Sequence, residues 1–186
     1  YMLSMMQPVN QSSVISRKAA LGYAMDLGTL QAKHALESGK AADAAAQIAR
    51  LQEINSSDSS MLEDMYQLLV DAGKQKEADT LFATTYATCK SVADRFPGRA
   101  QHHNNLAWLL SRCAKQLDEA LKHANRAVGS EPENGAFLDT LAEVHFQLGN
   151  RKKAVELSEK AVVILNDDAQ VRRQLERFKN GKPTDR

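Results

Sequence analysis

The 186-residue sequence has few of the residues that break helices, with 4 prolines and 9 glycines. Aromatic residues make up 5% of the chain, and no apolar run approaches the roughly 20 residues that a membrane-spanning helix requires. Ala, Leu, Lys, Glu and Gln instead fill long uninterrupted stretches, and these residues are strong helix formers. The composition therefore predicts a soluble, almost entirely helical protein that does not insert into a membrane.

The charge and the cysteine content argue against nucleic acid and against a metal site. The formal net charge is +1, whereas a nucleic-acid-binding face needs clustered basic residues to displace counterions. The three arginines near the C-terminus, Arg172, Arg173 and Arg177, are too few to form such a face. Cys89 and Cys113 make neither a disulfide framework nor a metal set, and we expect two reduced, partly buried thiols.

A glycine turn between two helices recurs along the chain. Its copies are ESGKAADAA at 37–45, DAGKQKEAD at 71–79 and QLGNRKKAV at 147–155, and AKQLDEAL at 114–121 is a fourth copy without the glycine. Gly39 and Gly73 are 34 residues apart. A helix that ends and reverses within a few residues needs a left-handed position, which glycine occupies without a side-chain penalty. The period predicts helical hairpins that stack and cover each other's apolar stripes.

This pattern resembles the tetratricopeptide repeat family. The matching stretches are LAWLL…LDEALKHANRAVGSEPEN (106–134) and LDTLAEVHFQLGNRKKAVELSEKAV (138–162), with Ala127, Ala161 and Pro132 at family positions. NNLAW and LDTLAEVHF are similar to repeats of large bacterial multi-repeat members. The resemblance implies an all-α fold, a right-handed α-solenoid of about four helix-turn-helix repeats with a C-terminal capping helix. It also implies a protein-interaction scaffold that is not an enzyme.

The repeat phase predicts how the chain is organised. Repeats are expected at about 12–56, 58–96, 99–132 and 135–166, followed by a cap helix at 168–179, all within one solenoid at 12–179. Residues 1–11 are expected to be flexible or a remnant of an earlier repeat, and 180–186 a tail. Because the chain opens with Tyr1 rather than Met, we interpret it as a fragment or a processed form.

Two departures from the 34-residue period predict local changes in geometry. Ala78 and Ala120 are 42 residues apart, and the 8 extra residues extend the helix before Pro97, by about two turns. We expect this helix to project. The turn SRCAKQ replaces the glycine turn of the third repeat with a longer one.

The stretch HHNNLAWLL at 102–110 does not have the spacing of a metal or catalytic site. His102 and His103 differ by about 100° around a helix axis, and no metal ligand follows either histidine one turn later. His34, His123 and His145 are isolated in the sequence, and His103 and His145 fall at core positions. Neither a catalytic triad nor a phosphate-binding glycine loop is present. We therefore predict no catalytic residue, no cofactor and no metal.

By family resemblance, a second face of the first helix in each repeat lines a concave groove that binds peptide segments. The candidate groove residues are Lys33, Glu63, Gln67, Asn104, Asn105, Trp108, Asp139, Glu143 and Phe146. Leu36, Val70, Trp108 and Phe146 are expected to form apolar pockets. A partly exposed tryptophan is the type of residue that dominates interface energies. Because acids outnumber the one lysine, a neutral or basic peptide is favoured over a carboxylate tail.

The sequence leaves other functions open. Self-association, or packing as the C-terminal part of a longer repeat protein, is suggested by the apolar segment YMLSMM. It is also suggested by a charge difference, because residues 1–94 carry 8 basic and 11 acidic residues and residues 95–186 carry 16 and 12. Metal-binding or enzymatic use of the histidines, or an RNA-binding helical repeat, is a weaker alternative. The partner, the oligomeric state and the compartment, cytoplasm or periplasm, are not given by the sequence.

Overall fold

The computed structural model describes residues 11–54 and 60–181, and it contains no β-strand within these ranges. The helices are α1 (Gln11–Glu37), α2 (Ala41–Ile54), α3 (Ser60–Asp71), α4 (Gln75–Arg95), α5 (Ala100–Arg112), α6 (Leu117–Ser130), α7 (Gly135–Gln147), α8 (Arg151–Ile164) and α9 (Ala169–Asn180). No helix in the described part of the chain is both long and apolar enough to cross a bilayer. The segment YMLSMM and most of the predicted tail lie outside the described residues.

The chain divides into two compact units, residues 1–54 and residues 55–186. In the first unit, α1 packs against α2, and a Cβ atom on Gly28 would lie 2.6 Å from the side chain of Leu51. In the second unit, α3 pairs with α4, α5 with α6, and α7 with α8, while α9 packs against α8. Helices α5 and α7, each the first helix of its hairpin, also contact each other. The two helices therefore lie side by side.

The alanines that mark the repeat period are points of close helix contact. Ala44, Ala78, Ala120 and Ala154 each have 0% exposed surface. A methyl group at this position lets two antiparallel helices approach closely while still covering apolar surface, because protein interiors are packed without room for larger groups. The predicted hairpin arrangement is confirmed.

Three of the hairpin turns have a glycine in the left-handed conformation. The φ angles are 71° at Gly39, 71° at Gly73 and 81° at Gly149. The backbone N–H of Gly149 donates to the carbonyl of Phe146 at 2.9 Å, which satisfies one of the carbonyls at the end of α7. The glycine therefore terminates the preceding helix.

In the third hairpin, an alanine takes the place of this glycine. Ala114 has a φ of 50°, and its N–H donates to the carbonyl of Ser111 at 3.1 Å. Lys115 N–H donates to Leu110 at 2.9 Å, so the hydrogen-bond pattern matches that of the glycine turns. Gln116 then adds a second left-handed residue, with a φ of 50°. The longer turn predicted here is confirmed, and it contains two strained positions.

The second helix of the second hairpin is extended, as predicted. α4 has 21 residues, whereas α6 and α8 have 14 each. One face of the extension is buried, since Cys89 is 3% and Ala93 is 0% exposed, so the helix does not simply project into solvent. Cys89 and Cys113 are both buried, and neither forms a disulfide.

Candidate functional site

A cleft of about 360 Å³ opens between α5, α7 and the segment that leads into α9. It is lined by Asn104, Asn105 and Trp108 from α5, by Ala136, Asp139 and Thr140 from α7, and by Leu165, Asp168, Gln170 and Val171. Four of the predicted groove residues therefore meet at one place. Two of the lining residues are acidic, and none of the described lining residues is basic.

The α5 wall of the cleft is formed by side chains one turn apart on the same face. Asn104 is 7% exposed, and its amide oxygen has no hydrogen-bond partner. Trp108 is half-buried, and the guanidinium of Arg112 lies 5.6 Å from its ring centre. The amide oxygen of Asn105 accepts a hydrogen bond from Gln101 at 2.7 Å. This wall combines a fixed aromatic surface with one unsatisfied acceptor.

Asp139 forms the acidic part of the α7 wall. It is 9% exposed, and its Oδ1 atom has no hydrogen-bond partner. Burial raises the pKa of its carboxyl to about 7, and the nearby charge of Glu143 adds to the increase. Arg177 and Arg112 oppose the increase, whereas Asp168 contributes to it. A carboxyl group with a pKa near neutrality is partly protonated and partly ionised at pH 7.

Asp168 provides a second carboxylate at the N-terminus of α9. Its Oδ1 atom accepts hydrogen bonds from the backbone N–H groups of Gln170 at 2.8 Å and Val171 at 3.2 Å. Asp168, Gln170 and Val171 were not predicted from the sequence to belong to the site. The signal was available, because a helix that follows the last repeat takes the place of the next first helix, whose residues would line the same surface.

Glu143 was expected to line the groove, but the structure buries it completely. It is 0% exposed and forms ion pairs with Arg177 and, at 3.7 Å, with Arg112. Gln147 also donates to its Oε1 atom at 2.7 Å. The expectation that Glu143 lines the groove is therefore corrected. An isolated buried charge is costly, and the two arginines and the Gln147 amide compensate the charge of Glu143 inside the protein. Glu143 is therefore a buried neighbour of the cleft residue Asp139, one turn away on α7.

Phe146 is also placed in the interior rather than in a surface pocket. It is 1% exposed, and its ring centre lies 4.8 Å from that of Phe178 on α9. The guanidinium of Arg177 lies 5.1 Å from the Phe146 ring centre. Helix α9 therefore covers the end of α7 that the sequence analysis had left open to a ligand. Leu36 on α1, a further expected pocket residue, is likewise buried at 9% exposure.

The remaining predicted groove residues do not line this cleft or cannot be compared with it. Lys33 is half-buried on α1, in the first compact unit. Gln67 on α3 donates to Asp71 at 2.7 Å. Glu63 lies on α3, but its side chain is outside the described part of the chain.

The histidines form a buried pair that the sequence analysis missed. The Nδ1 atoms of His103 and His123 are 2.8 Å apart, and Nε2 of His103 lies 3.0 Å from the carbonyl oxygen of Pro97. Since a carbonyl only accepts, His103 donates through Nε2 and accepts at Nδ1 from His123. Nε2 of His123 faces Glu119 at 3.7 Å. The interpretation of His123 as isolated is wrong, whereas the core position of His103, 2% exposed, is confirmed.

This pair has the character of a hydrogen-bonded core contact. Burial lowers the pKa of His123, and the neighbouring His103 lowers it further. His145 is only half-buried, 3.5 Å from Asn150, and is not the core residue that was expected. Among the residues that the structure describes, no three His, Cys, Asp or Glu side chains are grouped closely enough to hold a metal ion.

Stacked helical hairpins, with alanines at the contacts and their first helices side by side, define a tetratricopeptide-repeat-like fold. The structure is similar to that of TTC0263, a thermophilic TPR protein from Thermus thermophilus. The TM-score is 0.50 and the sequence identity 19%, over 85% of this chain and 80% of that one. The MamA protein gives a TM-score of 0.47 at 14% identity, over 86% of this chain and 83% of that one. No protein-family model matches the sequence.

Proposed function

We propose that the chain is a non-catalytic protein-interaction scaffold that binds a peptide or protein segment in the cleft between α5, α7 and α9. The observation that carries the proposal is the missing hydrogen-bond partners of two buried side chains, Asn104 and Asp139. Both side chains line the cleft, both are more than nine-tenths buried, and each has one oxygen without a hydrogen-bond partner. An unsatisfied buried polar group costs about 1–3 kcal/mol. A segment that enters the cleft and shifts these side chains so that their oxygens receive donors recovers that free energy.

Trp108 adds the apolar part of the binding surface. It is half-buried at the cleft wall, and the guanidinium of Arg112 lies against its ring. A rigid aromatic side chain loses little conformational entropy on binding and contributes a large contact area. The combination of an aromatic wall with a few directed polar groups is typical of ligand sites in proteins.

Photo-crosslinking tests this proposal directly. The photoreactive residue p-benzoylphenylalanine replaces Asn105 at the edge of the cleft or, as a control, the exposed Lys122 on α6. After irradiation in the source cell, mass spectrometry identifies the crosslinked segments. We expect a defined segment at position 105 that is absent at position 122 and is lost in Trp108→Ala. Identical segments at both positions, or capture unaffected by Trp108→Ala, would contradict the proposal.

The first compact unit supports a second candidate function, self-association or packing against further repeats. Tyr23, Leu27 and Leu30 are 76%, 56% and 64% exposed, and their spacing places them on one face of α1. A contiguous exposed apolar stripe of this kind is typical of an interaction surface. Sedimentation velocity over a concentration series should show association that the double variant Leu27→Gln and Leu30→Gln abolishes. A monomer at all concentrations would count against this function.

A further inference from the structure

We infer that the cleft takes a basic side chain, lysine or arginine, from the bound segment, with Asn104, Asp139 and Asp168 around its cationic group. The inference rests on the proposed function, because it names the kind of segment that the scaffold binds. It begins from the unpartnered oxygens of Asn104 and Asp139. The Asn104 oxygen and the ionised Asp139 carboxylate are acceptors that are themselves buried, so a donor from the ligand satisfies them once these side chains turn into the cleft. A lysine ammonium offers three N–H donors and an arginine guanidinium five, and neither group has an acceptor.

The charge of the cleft favours a cation over a neutral donor. Its two ionisable lining residues are Asp139 and Asp168, and none of the described lining residues is basic. Arg112 and Arg177, the two arginines that lower the pKa of Asp139, are ion-paired with Glu143 one turn further along α7. Their charges lower the pKa of Asp139 by less than burial raises it, and the carboxyl keeps a pKa of about 7. A cation from the ligand would supply the charge that the protein leaves uncompensated.

The apolar lining suits the methylene groups of a long basic side chain. Trp108, Leu165 and Val171 line the same cleft as the two carboxylates. Lysine and arginine bury their hydrocarbon stems on apolar surfaces while their charged ends reach polar groups. The volume of about 360 Å³ accommodates such a side chain together with part of the adjoining main chain.

Binding of a cation should depend on pH around neutrality. The groups that act on Asp139 are Glu143 on its own helix, Arg112 on α5, and Asp168 and Arg177 on the α9 side. With a pKa of about 7, the carboxyl is about one-tenth ionised at pH 6 and about nine-tenths ionised at pH 8. A cation binds the ionised form, so its affinity should fall about tenfold from pH 8 to pH 6.

Trp108 is the only tryptophan in the chain, so its fluorescence reports occupancy of the cleft. The probes are blocked single residues, N-acetyl-lysine methylamide and N-acetyl-arginine methylamide, each titrated into the full chain. N-acetyl-norleucine methylamide is the neutral control of similar size, and N-acetyl-glutamate methylamide the acidic one. We expect a saturable fluorescence change with the two basic probes and a response at least tenfold weaker with the two controls.

Two matched variants assign the effect to the cleft. Asp139→Asn keeps the shape of the side chain but removes its charge, and it should weaken lysine-probe binding about tenfold and abolish the pH dependence. Asp118→Asn makes the same chemical change at an exposed position on α6 and should leave binding unchanged. Circular dichroism and thermal unfolding establish that both variants are folded.

The possible failures are distinguishable. Equal binding of the lysine and norleucine probes, or an Asp139→Asn variant that binds lysine as well as wild type does, would overturn the inference. A fluorescence response to calcium chloride without one to the basic probes would indicate a metal site and would also overturn it. If a crosslinked segment still depends on Trp108 in either case, the interaction scaffold stands and only the basic side chain is wrong.

Discussion

Glu143 on α7 and Arg177 on α9 form an ion pair in which the carboxylate is 0% and the guanidinium side chain 14% exposed. The two residues are 34 positions apart in the chain, one repeat length. Arg112, on the preceding first helix α5, lies 3.7 Å from the same carboxylate oxygen. One buried charge thus connects α5, α7 and α9, one turn along α7 from the cleft residue Asp139.

Loss of this ion pair should destabilise the fold. Arg177→Ala leaves Glu143 buried with Arg112 as its remaining cation, and we expect the free energy of unfolding to fall by about 3 kcal/mol. Lys179→Ala is the control, because Lys179 forms an exposed ion pair with Glu159 at 3.3 Å and such pairs contribute little. Urea unfolding measures both. Equal effects for the two variants would show that the buried pair has no special weight.

Asp139→Asn should stabilise the protein at high pH. The carboxyl has a pKa of about 7 when folded and near 3.8 when unfolded, so the folded state binds an extra proton between these values. Stability therefore falls as the pH rises from about 4 to about 7. We expect the variant to gain about 1–3 kcal/mol at pH 8 and about a third of that at pH 5. Thermal unfolding at both values, with Asp118→Asn as control, checks this. A gain independent of pH would contradict it.

The buried histidine pair should make the protein sensitive to acid. Burial, and after it the neighbouring His103, holds the pKa of His123 below its ordinary value of 6.5, so the unfolded chain binds a proton that the folded chain resists. Stability should fall by up to about 1 kcal/mol as the pH drops from 7.5 to 5.5. The measurement is made in the Asp139→Asn background, because wild-type Asp139 has the opposite pH dependence. His123→Gln should reduce the decrease, the remainder coming from His145, whose pKa burial also lowers, and the exposed His34→Gln should leave it unchanged.

Ala114→Gly should raise the stability of the third hairpin. Ala114 has a φ of 50° in the position that Gly149 takes in the fourth hairpin, and a left-handed alanine is strained. We expect a gain of about 0.5–1 kcal/mol in the free energy of unfolding. Gly149→Ala is the reciprocal change and should lose about 1 kcal/mol. If both variants shift stability in the same direction, the backbone strain does not decide the effect.

The fold was predictable because its signals are local and repeated. Gly39, Gly73 and Gly149 terminate helices through their own backbone conformation, and each is followed five residues later by a buried alanine. The extension of α4 followed from a simple count between Ala78 and Ala120. Each of these inferences needs only the spacing of residues along the chain.

The site was predictable only in part, because burial depends on which helix covers which face. Asn104, Trp108 and Asp139 were assigned from their face of the first helix, and they do meet at one cleft. Glu143 and Phe146 share that face but are covered by α9. The periodicity of α7 does not predict where α9 packs. The contact between His103 and His123 joins residues 20 positions apart, across a turn whose geometry is set by the strained residues.

Helix α9 both covers Glu143 and Phe146 and, through the segment leading into it, supplies one wall of the cleft. Local opening of α9 and release of a ligand are therefore coupled equilibria. A ligand that contacts α5 and the start of α9 together will suppress amide hydrogen exchange in α9 without any change in helix content. For a segment bound as proposed, release should follow the opening of this helix, and substitutions at Phe178, which packs on Phe146, should shorten the lifetime of the complex.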